Sequence, residues 1–276
     1  MKPKRKNPKK IKNKSTREEI IQKIMAKKEL SELPLQDVLL AFKKFEKKPV
    51  SKEEKIRLTR DMLHRIFGAF GSRKLLKIRD KDPQWILSKH LSTRERLPFY
   101  REIYKRILKD FEGKIKIIDL GSGVNGFSYF YFKEAGFDVD YVAIEAIGQF
   151  VNLMNSYFNK EKINGKALHL SLFEHSKIKK IVKDTKNKIQ TIIFLFKVVD
   201  SLEMLKRNYS KKLISELALA SCRIVVSFAT ESMIKRRKFK SQRKWFVNFI
   251  KENFNIIDDF EILGEKFLVF EKRQNL

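Results

Sequence analysis

The chain has 276 residues, of which 42% are hydrophobic and 23 are phenylalanine, so it can bury a sizeable core and is not disordered throughout. The 62 lysines and arginines against 33 acidic residues give a formal net charge of +29, which favours a polyanionic partner over the alternative of a merely lysine-rich surface. The single cysteine, Cys222, excludes an intramolecular disulfide and a multi-cysteine zinc site, and no apolar run approaches the roughly 20 residues of a membrane span.

Residues 1–14 are predicted to form a basic tail that is disordered in isolation. They contain eight lysines and arginines, two prolines and almost nothing to bury, so they would order only against phosphates. The segment lacks the apolar stretch of a secretory signal, and we therefore expect a cytoplasmic protein.

Residues 15–90 are predicted to form a helical RNA-binding domain. Apolar residues recur at helical spacing on both sides of Pro34. Ser51, with Glu54 three residues later, is typical of a capping box and is expected to begin a helix that ends near Gly68. One candidate RNA surface is formed by the basic residues of this region: Arg57, Arg60, Arg65, Arg73, Lys74, Lys77 and Arg79.

Residues 91–276 are predicted to form a catalytic domain built on a mostly parallel sheet. Ser92 and Glu95 indicate a second capping box, at the start of a helix that runs to about Gly113. Beyond it short apolar strands alternate with helices, and two closing strands on either side of Gly264 indicate an antiparallel hairpin. The predicted strands are 116–120, 139–144, 166–170, 191–196, 223–228, 256–263 and 266–271. This is the α/β pattern of the Rossmann-like, seven-stranded S-adenosylmethionine methyltransferase fold, here with an N-terminal helical domain.

A glycine-rich loop at residues 119–126 follows the first predicted strand and precedes a helix. Gly121, Ser122 and Gly123 would let the backbone pass close to a ligand, and the helix N-terminus offers unpaired N–H groups. Dinucleotide oxidoreductases also carry such a loop, so the glycines alone indicate a nucleotide-type pocket.

Two acidic residues favour S-adenosylmethionine as the cofactor in this pocket. Asp119 begins the loop and is suited to the amino acid end of the cofactor. Glu145 ends the second predicted strand, where a carboxylate can accept hydrogen bonds from both ribose hydroxyls. The alternatives are a turn-capping carboxylate for Asp119 and a helix N-cap for Glu145.

The ends of the next two predicted strands complete the expected pocket. Leu172 and Phe173 follow the third strand, where methyltransferases of this fold often hold the edge of the adenine. Lys197 ends the fourth strand, beside the expected methyl group, because ligands lie at the carboxyl ends of parallel strands. We assign no metal site.

Motifs that the sequence lacks argue against several possible target atoms of methylation. No Pro-Pro pair occurs, which argues against an exocyclic amino target, and Cys222 is expected to be a packed thiol, not the nucleophile that pyrimidine C5 methylation needs. A ribose target needs a Lys-Asp-Lys-Glu set, which Lys197, Asp200 and Glu203 match only in part. Guanine N7 exposes a lone pair without a proton and needs orientation and electrostatic support in place of a general base. The missing base therefore favours a ring nitrogen such as N7.

Spaced blocks between residue 90 and the C-terminus match the pattern of a known family. Residues 90–97 resemble H-x-S-T-x-E-R-L, and residues 119–125 resemble D-x-G-C-G-x-N, with serine in place of cysteine. Residues 141–145 resemble Y-x-A-x-D, with glutamate in place of aspartate, and residues 194–197 resemble L-L-K. Residues 226–232 resemble V-I-S-F-P-x-x-S, with alanine in place of proline. In this order the blocks resemble the small-subunit ribosomal RNA methyltransferases that confer aminoglycoside resistance by modifying a guanine N7 in the decoding region.

The resemblance implies roles for further residues. Arg94, with its neighbours Glu95 and Arg96, would hold the cofactor or substrate near the loop, and Lys197 and Ser227 would face the target base. The substitutions at Ser122, Gly126 and Ala229 indicate a distant relative, for which a housekeeping modification is a fair interpretation.

The densest internal basic run follows the fifth predicted strand and is expected to grip phosphates beside the target base, with a solvated loop as the alternative. Its basic residues are Lys235, Arg236, Arg237, Lys238, Lys240, Arg243 and Lys244. The expected partner is ribosomal RNA within the assembled small subunit, bound by a monomer. The alternatives are a ribosome-binding assembly factor that keeps the fold, and a tRNA methyltransferase.

Overall fold

The computed structural model describes residues 8–68, 75, 81–184, 190–230 and 243–273, without the side chains of residues 8–16. Helices alternate with strands after residue 114, and helices alone precede it. The α-helices are α1 (Pro8–Met25), α2 (Leu35–Lys43), α3 (Lys52–Leu63), α4 (Pro83–Lys89), α5 (Leu91–Arg96), α6 (Tyr100–Ile107), α7 (Phe130–Glu134), α8 (Gly148–Lys160), α9 (His175–Lys183), α10 (Val199–Leu205), α11 (Tyr209–Leu217) and α12 (Lys244–Asn253).

The helices α1 to α3 pack around an apolar stripe that the sequence spacing predicts. Ile24, Val38 and Leu63 are fully buried where these helices meet. The predicted cap at Ser51 is confirmed, because its side chain accepts a hydrogen bond of 3.1 Å from the backbone N–H of Glu54. The Glu54 side chain instead pairs with Arg57, so only one half of the capping box forms.

Replacing this cap is expected to weaken the helical region alone. Ser51→Ala leaves a helix N–H without its side-chain acceptor and should lower the free energy of unfolding by about 1 kcal/mol. Chemical denaturation measures this, with Ser156→Ala as the control, because Ser156 bonds a carbonyl inside α8 and caps nothing. An equal loss in both variants would contradict the capping role.

Two predictions on the N-terminal half need correction. The helix α1 begins at Pro8, inside the predicted disordered tail, because proline is tolerated in a first helical turn and the lysine-rich segment after it contains no helix breaker. Ser92 is not a helix cap but lies inside α5, where its hydroxyl contacts His90 Nδ1 at 3.2 Å. Pro98 then divides the predicted long helix into α5 and α6, separated by a 3-10 turn.

The strands form one sheet of the order β3-β2-β1-β4-β5-β7-β6. They are β1 (Lys114–Leu120), β2 (Asp138–Glu145), β3 (Gly165–His169), β4 (Gln190–Phe196), β5 (Arg223–Ala229), β6 (Phe254–Ile262) and β7 (Glu265–Lys272). The strands β1 to β5 run parallel, and β7 runs antiparallel to both of its neighbours. The seven predicted strands and the closing hairpin are thus confirmed, and the carboxyl ends of β1, β2 and β4 meet at one edge.

Two features differ from the sequence-based expectations in the second half. The helix α10 (Val199–Leu205) was not predicted, because only Val199, Leu202 and Leu205 of its short sequence face the core. Cys222 is exposed where a packed thiol was expected, since it lies in the loop just before β5 and only its backbone N–H joins the sheet edge, at 2.8 Å from the Thr191 carbonyl.

Buried apolar side chains from the helical region and from both sides of the sheet form one continuous core. Among the described helices, none combines the length and apolar character needed to cross a bilayer.

Candidate active site

A cavity opens at the edge of the sheet where β1, β2 and β4 end. It encloses about 820 Å³ of space not filled by protein atoms when the solvent at its mouth is included. Eight residues predicted for the site line it together: Asp119, Gly121, Ser122, Gly123, Glu145, Leu172, Phe173 and Lys197. The sheet topology therefore brings the predicted cofactor residues to one place.

The glycine-rich loop needs its glycines at two positions. Gly121 and Gly123 have φ angles of +70° and +57°, in the left-handed region that favours glycine. A Cβ on Gly121 would lie 2.7 Å from Val198 Cγ2, and one on Gly123 would lie 2.9 Å from His90 Nε2. Both glycines therefore let the loop approach the walls of the cavity closely.

Gly121→Ala is expected to reduce the affinity for S-adenosylhomocysteine by at least about tenfold, because its methyl group must displace Val198 from the cavity wall. Gly113→Ala is a matched control, since Gly113 has the same φ of +70° and a Cβ added there would meet nothing within 4 Å. Both variants should lose about 1–2 kcal/mol of stability to backbone strain. Calorimetry that finds equal affinities in the two variants would contradict the loop assignment.

Glu145 joins the loop to the next helix. Its Oε2 accepts a hydrogen bond of 2.7 Å from the N–H of Gly123, and its Oε1 accepts one of 2.8 Å from the N–H of Ile147. Burial raises the pKa of this carboxyl, while the backbone N–H groups favour its charged form. Each carboxylate oxygen has a second lone pair, so Glu145 can orient the loop and still accept hydroxyl hydrogen bonds from the cavity.

Asp119 holds the other end of the loop. Its Oδ2 accepts hydrogen bonds from Asn125 Nδ2 at 2.7 Å and from the Tyr141 hydroxyl at 2.5 Å. Burial raises the pKa of Asp119, although these two hydrogen bonds and the charge of Arg96 favour the carboxylate. Asp119 therefore both holds the turn of the loop and lines the cavity.

The segment after β3 forms an apolar wall. Leu172 and Phe173 are buried there, and the Phe173 ring lies 4.5 Å from the ring of Tyr209. The Tyr209 hydroxyl also donates to the Leu172 carbonyl at 2.7 Å, which fixes the position of the segment. A flat, apolar ligand such as a nucleobase suits this wall.

Arg94 does not line the cavity, and its side chain is exposed. Residues 92 and 96 of α5 lie four positions apart on the face turned toward the cavity, and Arg94 lies on the opposite face. The neighbouring Arg96 is buried and lines the cavity instead. The structure therefore places Arg96 at the cavity, and not Arg94, for which the cofactor role was predicted.

Lys197 lies in a buried network of charges. Its backbone φ is +58°, and its Nζ contacts the carboxylates of Glu95 and, at 3.1 Å, Glu265. Glu265 also pairs with Arg96 Nε at 3.2 Å. Burial alone would raise the pKa of Glu265, but the charges of Arg96 and Lys197 outweigh it and hold the pKa below its ordinary value. Lys197 uses two of its three N–H donors in these described contacts.

Ser227 positions this network and does not line the cavity, so the predicted contact with the target base is wrong. Its side chain is fully buried because it points from β5 toward β7, where its hydroxyl donates to Glu265 Oε1. The backbone N–H of Lys197 contacts both the carbonyl and the hydroxyl oxygen of Ser227, at 2.9 and 3.2 Å. Ser227 thus fixes the strained backbone from which the Lys197 side chain extends.

His90 and Glu265 are site residues to which the sequence assigned no role. His90 is buried against the loop, and burial together with the charges of Arg96 and Lys197 lowers its pKa to about 3, so the ring is neutral at pH 7. Glu265 is the first residue of β7 and lies far from the other site residues in sequence. The only local signal for it is the position of an acidic side chain between Gly264 and an apolar strand.

A ribose-methylating set of residues does not form. Asp200 pairs with Arg243, at 2.7 Å from its Nε, and Glu203 accepts hydrogen bonds from the backbone N–H groups of Asn208 and Ser210 at the start of α11. These carboxylates therefore lie in structural contacts and not around Lys197.

The predicted phosphate-binding run is only partly within the described residues. Lys244 is exposed at the start of α12, whereas Arg243 is largely buried because it pairs with Asp200 and donates to the Ala229 carbonyl at 2.6 Å. Arg243 thus anchors the end of the run to the fold and does not present its charge freely. The remaining predicted residues lie outside the described ranges: Lys235, Arg236, Arg237, Lys238 and Lys240.

The other candidate RNA surface is likewise partly described. Arg57 pairs with Glu54 and Asp61, Arg60 donates to the Ile24 carbonyl at 3.3 Å, and Arg65 is exposed. The other four basic residues of that surface lie outside the described ranges: Arg73, Lys74, Lys77 and Arg79.

Comparison with known proteins identifies related sequences. A family model described as ribosomal RNA methyltransferase (FmrO) matches residues 51–259. A 16S rRNA (guanine(1405)-N(7))-methyltransferase of Proteus mirabilis is 37% identical over 78 residues, which cover 26% of this chain and 28% of that protein. The chain thus aligns with less than a third of this relative's length.

Solved structures share the fold. The crystal structure of the 16S rRNA methyltransferase RmtF in complex with S-adenosyl-L-homocysteine superposes with a TM-score of 0.75 at 19% identity, covering 93% of this chain and 98% of that chain. An rRNA methylase from Escherichia coli superposes with a TM-score of 0.71 at 18% identity, covering 93% of this chain and 99% of that chain. The likeness extends over the helical region as well as the sheet and confirms the methyltransferase fold.

Proposed function

Since the chain belongs to the FmrO family of ribosomal RNA methyltransferases, we propose that it transfers a methyl group from S-adenosylmethionine to N7 of a guanine in small-subunit ribosomal RNA. The family match carries this proposal, because residues 51–259 include the glycine-rich loop with Asp119, the acidic Glu145 at the end of β2, and Lys197. The short alignment with a guanine-N7 methyltransferase supports the target atom.

The cavity fits the proposed cofactor in three ways. Gly121 brings the loop backbone close to Val198 without adding a side chain to the cavity, which suits the amino acid end of the cofactor beside Asp119. Glu145 presents carboxylate lone pairs that suit ribose hydroxyls. The wall at Leu172 and Phe173 is apolar and suits the adenine ring.

The chemistry requires no general base. When bound, the cofactor supplies a sulfonium-linked methyl group, so that the N7 lone pair forms the new C–N bond while the C–S bond breaks and its electron pair stays on sulfur. Guanine N7 carries no proton, and the protein therefore has only to orient the base and keep the reacting atoms in line. The neutral ring of His90 and the fully paired carboxylate of Glu265 are consistent with a site that removes no proton.

We assign orientation of the base to Lys197. Its Nζ is held in place by Glu95 and Glu265, and these two contacts within the described part of the chain leave a third N–H donor for a ligand. A donor fixed in this way suits a hydrogen bond to guanine O6, which neighbours N7. Ser227 supports this role through the Lys197 backbone.

The partner in this proposal is ribosomal RNA within the assembled small subunit, bound by a monomer in the cytoplasm, where ribosomes work. The net charge of +29 supports a large polyanion, and the charge-rich helical region supports docking away from the cavity. The same charge would suit a tRNA, but the family match favours ribosomal RNA.

Incorporation of labelled methyl groups tests the proposed substrate. Purified protein with labelled S-adenosylmethionine should label 30S particles and leave purified tRNA unlabelled. Label in tRNA alone would favour the tRNA alternative. Absence of heat on titration with S-adenosylhomocysteine would favour the assembly factor.

A further inference from the structure

A buried carboxylate from the helical region lies in the wall of the cavity. Asp37, on α2, lines the cavity and has only 2% of its surface exposed. Its Oδ2 is buried and has no hydrogen-bond partner among the described residues. A buried acceptor without a donor is rare in folded proteins and indicates a role for the group.

The surroundings of Asp37 place it at the end of the cavity that the nucleobase would occupy. The Ser171 hydroxyl contacts the Asp37 side chain, and the apolar wall of Leu172 and Phe173 follows directly in sequence. Next to Asp37 in sequence, Gln36 donates from Nε2 to the Phe173 carbonyl at 3.0 Å, which fixes α2 against the segment after β3. The carboxylate is thus held rigidly beside the apolar wall.

The charged groups near Asp37 are acidic and do not pair with its carboxylate. Burial raises the pKa of Asp37 to about 7, the hydrogen bond from Ser171 lowers it, and the charges of Glu145 and Glu174 raise it further. Three acidic groups therefore face this region, and a ligand that brings a hydrogen-bond donor would fit it better than one that brings an acceptor.

We propose that Asp37 accepts a hydrogen bond from the exocyclic amino group of the cofactor's adenine, so that the helical region completes the cofactor pocket. This inference rests on the proposed function. The amino group is favoured over the ribose hydroxyls because Glu145 already presents its carboxylate from the end of β2, whereas Asp37 lies beside Ser171 and the apolar wall. The adenine ring carries its amino group at its edge, in reach of a side chain beside that wall.

Two ligands that differ only at this position test the proposal. S-adenosylhomocysteine carries the amino group, and its purine riboside analogue carries a hydrogen atom in its place. By calorimetry at about pH 8.5, where Asp37 is charged because its pKa is about 7, the unchanged protein should bind the adenosyl compound roughly tenfold or more tightly than the purine compound, since one hydrogen bond to a charged group is worth at least that factor.

Substitution of Asp37 should remove this preference. In Asp37→Asn the amide oxygen is a neutral and therefore weaker acceptor for the amino group, so the ratio of the two affinities should fall to within about threefold. Asp37→Ala should give a similarly small ratio. Asp61→Asn is the control, because Asp61 is an exposed carboxylate of the same helical region that pairs with Arg57, and its ratio should equal that of the unchanged protein.

Thermal unfolding separates recognition from a structural role. Asp37→Asn replaces a buried carboxylate that has no ion-pair partner among the described residues with a neutral side chain of the same shape, so its melting temperature should be unchanged or higher, whereas a structural role would lower it. An unchanged affinity ratio in both Asp37 variants would overturn the proposal while leaving the proposed function intact. If the unchanged protein bound neither ligand, the proposed function would fall and the Asp37 proposal with it.

Discussion

Glu265→Gln is expected to lower the free energy of unfolding by about 3–5 kcal/mol, the cost of removing one member of a buried ion cluster. Glu265 is 2% exposed, and its carboxylate contacts Arg96 Nε at 3.2 Å and Lys197 Nζ at 3.1 Å. The neutral amide would leave Arg96 buried without its ion-pair partner. It would also offer one acceptor oxygen where the carboxylate offers two. Urea denaturation monitored by circular dichroism measures the loss.

The control for Glu265 lies in the same hairpin. Asp259 pairs with Lys266 across β6 and β7 at 2.7 Å, but both side chains are about a third exposed, so Asp259→Asn should cost about 1 kcal/mol or less. A loss of that size in Glu265→Gln would show that the buried cluster contributes no more than a surface pair.

The loss at Glu265 should also depend on pH. Its pKa in the folded protein lies below the ordinary value of 4.5, so its charged form stabilises the fold above about pH 4.5. That contribution disappears as the pH falls through the lowered pKa. The difference in stability between the unchanged protein and Glu265→Gln should therefore be full at neutral pH and shrink under acid conditions; a difference that grows on acidification would contradict the assignment.

Glu145→Gln should reduce the affinity for S-adenosylhomocysteine by at least about 100-fold, which corresponds to the loss of one or two hydrogen bonds to a charged acceptor. The two carboxylate oxygens accept from the N–H groups of Gly123 and Ile147, and an amide would turn a donor toward one of them. The variant therefore loses both the shape of the loop and an acceptor for the ribose. Isothermal titration calorimetry gives the affinity directly.

Asp140→Asn provides the comparison for Glu145. Asp140 lies on the same strand, β2, nearer the opposite end and away from the cavity lining, so its replacement should leave the affinity unchanged. Similar affinities in the two variants would remove Glu145 from the cofactor site. Circular dichroism of both variants ensures that the comparison concerns folded protein.

The fold was predictable because its signals are local. Alternation of apolar strands with helices, the glycines at 121 and 123 and the acidic end of β2 all lie within short stretches, and parallel strands bring their carboxyl ends to one edge. The position of the apolar wall at Leu172 and Phe173 could be predicted from that topology. Proline at position 98 is a local signal too, but the capping pattern at Ser92 favours one continuous helix over the break that the proline makes.

The parts that sequence could not predict depend on contacts between distant residues. Glu265 meets Arg96 across 169 positions of sequence, and Gln36 meets Phe173 across 137 positions. Neither pairing has a periodicity or a motif, because burial of a charge is set by what the fold packs around it. Asp37 belongs to the same class: on its own helix it reads as an ordinary first-turn carboxylate, favourable at a helix N-terminus.

The target atom is the central claim, and chemical mapping of methylated 16S rRNA tests it most directly. Guanine methylated at N7 becomes sensitive to borohydride reduction followed by aniline, which cleaves the RNA chain at the modified position. We predict that 30S particles incubated with the protein and S-adenosylmethionine acquire one new cleavage site at a guanine, and that Glu145→Gln yields none under the same conditions. A methylated 16S rRNA that resists cleavage, or a methyl group found on a ribose or an exocyclic nitrogen, would contradict the account.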